Sequence, residues 1–156
     1  MGAPFYPTSE LVVEKMLALA DVNSKSIVYD LGCGDGAIVV AAARQYNALK
    51  VVGIEQKQKL CSIAQRRTRH LRNVIIVNAN YDDVNISEAS VVTLYQSASE
   101  NARLRRKLVS ELREGTKVVS HDFGIPGWRP TEFHVFKEGR RNQRIFLYVI
   151  GSNTSL

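Results

Sequence analysis

The sequence predicts an α/β architecture: a mostly parallel seven-stranded sheet with helices on both faces and a reversed strand in a C-terminal hairpin. Three observations predict it. Short β-branched, apolar runs alternate with helical patterns through residue 120. A glycine-rich turn, Gly32-Cys33-Gly34-Asp35-Gly36, joins the first strand to the helix after it. Beyond residue 130 the pattern becomes two β-rich runs with a hairpin-length connection between them. Alternating strands and helices imply parallel pairing through right-handed crossovers, and the closing hairpin supplies the antiparallel strand.

Thr8-Ser9-Glu10 ahead of Leu11, Val12, Met16, Leu17 and Leu19 predicts a capped helix over residues 9–20. Residues 26–31 form the first strand, and residues 37–46, with Ala41, Ala42 and Ala43, the helix after the glycine turn. KVVGIE over residues 50–55 is the second strand, followed by a helix over 58–71 carrying Leu60, Ile63 and Ala64. NVIIV (73–77) is the third strand and residues 88–95 the fourth. Residues 98–114 form the next crossover helix, closed by Gly115, and 116–120 the fifth strand. Residues 131–136 and 144–150 are the hairpin strands, joined through 137–142. The small, polar tail, 152–156, is expected to fray.

The 156 residues are 45% hydrophobic, enough for one domain over 1–156 with a real core. No apolar run reaches the roughly 18 residues a membrane span requires. The first eight residues lack a basic region followed by an apolar one, so no secretion signal is expected. Cys33 and Cys61 show no metal-ligand spacing and read as reduced thiols of a cytoplasmic protein. No metal-ligand cluster is seen. The net charge of +6 is concentrated in two helical runs: Arg66, Arg67, Arg69 and Arg72, then Arg103, Arg105, Arg106, Lys107 and Arg113. Such runs are ordinarily solvated faces; the functional alternative is attraction to acidic proteins or to proteins on nucleic acid. Neither run is interleaved with stacking aromatics, so direct base recognition is not indicated.

The glycine turn carries the chemistry. Glycines admit positive φ and close approach of a ligand to the backbone, and the following helix start offers free N–H groups to an anionic group. A nucleoside-bearing cofactor is expected there. Gly32-x-Gly34-x-x-Ala37 with Glu55 about 20 residues on also fits a dinucleotide fingerprint, so a nicotinamide oxidoreductase competes. Against it, Asp30 stands two positions before Gly32, where it would repel a pyrophosphate, and Gly36 follows Gly34 after one residue.

The resulting D-x-G-x-G-x-G pattern resembles the class I S-adenosylmethionine-dependent methyltransferases, whose fold is Rossmann-like. By that resemblance Asp30 anchors the loop near the methionine amino group, and Gly32, Cys33, Gly34 and Gly36 bring backbone to the cofactor. Glu55 accepts the two ribose hydroxyls, a bidentate carboxylate match. Asn80 stands where the family often has an Asp that reads the adenine amine; an Asn oxygen can also accept that bond. Thr8, Gln56 and Tyr81 complete the expected cofactor set, with residues 1–25 covering the site.

Longer stretches resemble a narrower group, the small archaeal protein-lysine methyltransferases and their mitochondrial relatives. Pro4-Phe5-Tyr6-Pro7-Thr8 resembles that family's PYVPTP segment, and DVNISEASVVTLY (83–95) its DVDISEATVVTLY block. GTKVVSHDF (115–123) with Ile125, Gly127 and Trp128 resembles its GTRVVSHDF-x-I-x-GW segment, and Leu147-Tyr148-Val149-Ile150 its closing strand. Departures fall at Tyr6, Ser9, Asn80, Gln96 and Ser97. The resemblance implies in-line methyl transfer to exposed lysines of proteins, with chromatin proteins among the family's substrates and hence an indirect association with chromatin, by a monomer.

Lysine methylation requires a neutral amine. The reference pKa of about 10.4 makes that cost roughly 4–5 kcal/mol near pH 7 unless the site desolvates the amine. Phe5, Tyr6, Tyr95, Phe123 and Trp128 are candidates for an aromatic-lined channel. The catalytic candidates are Tyr95, Tyr6 and His121. Each has a structural alternative: packing for Tyr95, a staple on the first helix for Phe5 and Tyr6, a core cover for Trp128, and a strand-end pair for His121 with Asp122. Alternative functions are methyl transfer to RNA or a small molecule, and non-catalytic S-adenosylmethionine binding. The fourth strand ends in Thr93-Leu94-Tyr95-Gln96, without the D/N-P-P-Y/F tetrapeptide of amino-methylating nucleic-acid enzymes.

Overall fold

Continuous apolar runs belong to strands buried on both faces, and a computed structural model, which describes residues 5–156, places the runs at 27–31, 50–55, 91–94 and 117–121 that way, while the run at 74–78 is only partly covered. Four helices and seven strands follow in the order α1 (Glu10–Leu19), β1 (Ile27–Leu31), α2 (Ala37–Arg44), β2 (Lys50–Glu55), α3 (Gln58–Thr68), β3 (Val74–Asn78), β4 (Val91–Leu94), α4 (Ala98–Glu111), β5 (Lys117–His121), β6 (Glu132–Glu138) and β7 (Arg141–Val149). The sheet order is β3-β2-β1-β4-β5-β7-β6. β1 to β5 run parallel, and β7 lies antiparallel between β5 and β6. The predicted reversed hairpin strand is therefore found.

Alternate residues of each central strand feed two cores. Val28, Val51, Val91 and Val119 pack with α1 and α2 residues such as Val12, Met16, Val39 and Ala42. Tyr29, Val52, Val92 and Val118 pack on the other face with Leu104 and Leu108 of α4. Among the described residues no helix is long and apolar enough to cross a membrane.

Boundaries differ where tertiary packing overrides pattern. The helix expected to reach residue 114 stops at Glu111, because Leu112 turns extended and buries its side chain in the second core. Gly115 then serves a turn at φ +89°, its N–H bonded to Ile150 O rather than closing the helix. The helix expected through residue 71 ends at Thr68, whose hydroxyl donates to Ala64 O at 2.8 Å. The hairpin is tighter than expected. Glu138 pairs with Arg141, so the turn is Gly139-Arg140, with Gly139 at φ +63°, as a two-residue primed turn requires at its first position. Residues 152–156 do not simply fray. Ser152 bridges Val149, Thr154 is buried with its Oγ1 accepting the Gly151 N–H at 2.8 Å, and Ser155 O accepts the Trp128 indole N–H at 2.7 Å.

Candidate active site

Strand order reverses direction at β1: its neighbours are β2 on one side and β4 on the other. In open α/β sheets ligands bind at such a switch point, beyond the C-terminal ends of the strands. The glycine turn lies there. Gly32 and Cys33 N–H groups both bond Ile54 O at 2.9 Å, tying the loop to β2. Gly32, Gly34 and Gly36 adopt φ of +83°, +56° and +91°. A Cβ on Gly32 would stand 2.4 Å from Gln96 Nε2, and one on Gly34 2.4 Å from the Phe5 ring. Glycine is thus favoured at all three positions by conformation, and the bare backbone leaves room for Gln96 and Phe5 to lie over the turn.

The turn borders a cleft, open to solvent, that most of the expected cofactor residues line. Asp30, Gly32, Cys33, Glu55, Gln56, Tyr81 and Thr8 are on its wall, with Phe5, Tyr6, Tyr95 and Gln96. Gly34 lies under the Phe5 ring, and Gly36 is the N-cap of α2, with no side chain capping its free N–H groups. Asn80 is placed differently. It is exposed, between the lining residues Ala79 and Tyr81, and its Oδ1 accepts the Asp82 N–H at 2.9 Å, capping a 3-10 turn over Tyr81–Asp83. Of the N-terminal region expected to cover the site, Phe5, Tyr6 and Thr8 reach the cleft; α1 does not, packing instead against α2, β5 and β7. Pro4 lies outside the described residues.

Two buried carboxylates define the cleft's electrostatics. The Asp30–Thr93 register of β1 and β4 brings the Thr93 hydroxyl within 2.9 Å of Asp30 Oδ1. Burial pushes the Asp30 carboxyl up to about 7; the Thr93 bond opposes the shift and the Glu55 charge adds to it. An adjacent cation would restore its ionisation. Glu55 accepts Gly34 N–H at Oε1 (2.8 Å) and Lys57 N–H at Oε2 (2.9 Å). Each oxygen keeps a lone pair, so the carboxylate is fixed in place and can still take a vicinal diol. A cation at Asp30 and a diol at Glu55, with backbone between them, suit an amino-acid-bearing nucleoside. Cys33 contributes backbone: its thiol is buried against the core, and burial, with the Asp30 and Glu55 charges, pushes its pKa up, away from nucleophilic use.

A second pocket adjoins the first. Tyr6, Tyr95 and Gln96 line both, and Ser97, Asp122, Phe123 and Arg141 complete it. Gln96 is buried and donates to Leu31 O at 3.1 Å, holding the partition between the two spaces. The β4–β5 register pairs Leu94 with Ser120. The next residues, Tyr95 and His121, therefore emerge side by side, ring centroids 4.1 Å apart. His121 is 2% exposed and lines neither pocket; it backs Tyr95. Its Nε2 donates to Gln143 Oε1 at 2.8 Å, and Nδ1 is buried without a partner among the described residues. Burial lowers its pKa, partly offset by the Gln143 bond, so the ring is neutral. Trp128 is not among the residues lining either pocket and sits in the core against Tyr148. Gln96, expected only as a departure from the family pattern on the acceptor side, and Asp122, expected beside His121 at the strand end, both line this pocket; Arg141 was not anticipated, because its place depends on the hairpin register.

The family model that matches, over residues 30–132, is the ANTKMT methyltransferase domain. The chain belongs to the ANTKMT methyltransferase domain family. A protein-lysine N-methyltransferase of Saccharolobus islandicus is 43% identical, over 96% of this chain and 95% of that protein. The adenine nucleotide translocase lysine N-methyltransferase of Mus musculus is 30% identical over 95% of this chain; the match spans 63% of that longer protein. Among solved structures, an RNA methyltransferase from Salinibacter ruber, in complex with S-adenosyl-L-homocysteine, superposes with a TM-score of 0.87. It is 39% identical, and the match covers 93% of this chain and 94% of that one. Membership of the methyltransferase family decides against the dehydrogenase reading of the glycine turn.

Proposed function

We propose that this protein is an S-adenosylmethionine-dependent protein-lysine N-methyltransferase. The observation that carries the reading is the shared wall of Tyr6, Tyr95 and Gln96. It sets an aromatic acceptor pocket directly against the glycine-loop cleft, as in-line transfer requires. Identity of 43% with a protein-lysine N-methyltransferase over nearly its whole length supports the acceptor class.

Asp30 would hold the methionine ammonium, Glu55 the ribose diol, and Gly32 to Gly36 the backbone-facing edge of the cofactor. Gln56, Tyr81 and Thr8 line the remaining walls, and Asn80 can offer its free amide at the cleft margin. The cofactor supplies a methyl group made electrophilic by the sulfonium. The chain's own residues do the rest. Tyr6, Tyr95 and Phe123 enclose the lysine stem and favour its neutral amine by excluding water. The lysine ammonium gives its proton to solvent before attack; with the cofactor bound, the neutral amine would take the methyl group as the thioether leaves, giving a methylammonium. The Tyr95 ring then faces a cationic product, which an aromatic face tolerates. His121, neutral and buried, positions Tyr95 rather than touching the substrate. The free, buried thiols of Cys33 and Cys61 agree with a reducing compartment such as the cytoplasm.

The second reading is an RNA acceptor, favoured by the likeness to the Salinibacter enzyme. Incubation with methyl-labelled S-adenosylmethionine, a protein extract and total RNA separates the two. Label in the protein fraction supports the proposal. Label confined to RNA moves the function to nucleic acid, and cofactor binding without transfer identifies a non-catalytic binder.

A further inference from the structure

The acceptor pocket contains a cation of its own. Arg141, at the start of β7 beside the Gly139-Arg140 turn, sends its guanidinium into this pocket, where Nη2 donates to Asp122 Oδ2. The neighbouring Tyr95 hydroxyl and the Asp122 charge hold it firmly cationic. The pair is asymmetric: the Asp122 side chain is 8% exposed, the Arg141 side chain 57%.

Asp122 is a built feature. It is a non-glycine residue at φ +65°, outside the conformations most side chains accept. A tight turn, Phe123 N–H to His121 O at 2.8 Å, holds it there, and its own N–H bonds Arg144 O at 2.7 Å. Strain of this kind persists where the surroundings over-determine it, often at functional sites. Here it presents a nearly buried carboxylate among Tyr6, Tyr95 and Phe123. Aromatic faces around a single carboxylate make a cation site.

We propose that Asp122 is the docking point for the substrate's lysine ammonium, and that Arg141 is a resident placeholder that the substrate displaces. This rests on the lysine-acceptor reading above. An arginine more than half exposed, on a hairpin end, is cheap to move, because ion pairs at such exposure contribute little. Left empty, the carboxylate would be uncompensated in an apolar pocket. With Arg141 in place it stays neutralised until a second cation arrives. Docking precedes chemistry: the ammonium binds at Asp122, then leaves the carboxylate and gives its proton to solvent, and the neutral amine advances past Tyr6 and Tyr95 toward the glycine-loop cleft.

The test uses the full chain, with poly-L-lysine as acceptor and labelled S-adenosylmethionine as donor. Arg141→Gln is expected to lower KM for poly-L-lysine by about two- to fivefold, the range an exposed pair allows. Asp122→Asn is expected to raise it at least tenfold, and the double variant to behave as Asp122→Asn alone. S-adenosylhomocysteine affinity, read by calorimetry, should stay within twofold in all three, which also shows that they fold. An Arg141→Gln variant with raised or unchanged KM overturns the placeholder, and Asp122→Asn with unchanged KM overturns the docking point. A wild-type protein that binds S-adenosylhomocysteine yet transfers nothing to lysine overturns the lysine reading itself, and this inference with it.

Discussion

The Tyr95 ring rests on the His121 imidazole, centroids 4.1 Å apart and planes inclined by 44°. A chain of hydrogen bonds fixes that imidazole: His121 Nε2 to Gln143 Oε1, Gln143 Nε2 to Glu138 Oε1 at 3.0 Å, and Ser9 Oγ to the same Glu138 oxygen at 2.8 Å. The acceptor-side tyrosine is therefore tied, through the hairpin, to the N-cap of α1. His121→Ala should lower kcat about tenfold, through misplacement of Tyr95, with S-adenosylhomocysteine affinity within twofold. Steady-state kinetics with calorimetry checks this; a parallel loss of cofactor affinity would mean His121 acts on the cofactor cleft instead.

His121 also has a pH signature. Its folded-state pKa lies below the ordinary value because of burial. Its contribution to stability is therefore present above about pH 6.5 and is lost as the pH falls below that. In His121→Phe, this part of the acid destabilisation should vanish in denaturant midpoints measured between pH 7 and 5.

Asp30 has the opposite sign. Its folded pKa is raised from 3.8 to about 7. Its contribution to apo-protein stability is full below about pH 4 and is lost as pH rises through about 7. Asp30→Asn should flatten that decline. On the proposed role of Asp30, binding uses the ionised carboxylate, so wild-type affinity for S-adenosylhomocysteine should weaken below pH 7, by up to about tenfold per pH unit, as Asp30 protonates. Asp30→Asn should remove this dependence while binding at least tenfold more weakly at pH 7.5. Calorimetric titration from pH 5.5 to 8 reads both.

Glu55→Gln tests the second carboxylate. A Gln amide presents an N–H₂ to one of the two backbone donors, Gly34 N–H or Lys57 N–H, that Glu55 now accepts. Losing a charge-assisted buried bond costs about 2 kcal/mol, and the loop it anchors should bind cofactor tenfold or more weakly. A variant with wild-type thermal midpoint and affinity would remove Glu55 from the site.

The fold was legible because its cues are local. The β-branched runs, the Ser9 cap and the Gly32-to-Gly36 turn specify their own conformations, and alternation specifies the parallel sheet. Asp30, Glu55 and Tyr95 were legible as strand-end residues beside that turn. What the sequence hid depends on register. His121 beside Tyr95 follows from Leu94 pairing with Ser120, and Arg141 beside Asp122 from a hairpin that closes in two residues. Neither pairing is encoded near those residues in the chain. The docked tail was hidden for the same reason: residues 152–156 look like a frayed end until Trp128 and Thr154 find their partners.

That docking gives a stability prediction. Deleting residues 152–156 leaves the buried Trp128 indole N–H and the Gly151 N–H without acceptors. At roughly 1 kcal/mol or more per bond, the loss should be about 2 kcal/mol, read as a lower urea midpoint with an unchanged slope. An unchanged midpoint would show the tail to be dispensable.

Lysine methylation is decided by tandem mass spectrometry of protein acceptors after incubation with the purified enzyme and isotope-labelled S-adenosylmethionine. The label is expected on lysine side-chain nitrogens, abolished in Asp30→Asn and strongly reduced in Tyr95→Ala. Label absent from lysine, with RNA from the same reaction carrying it, would contradict lysine methylation.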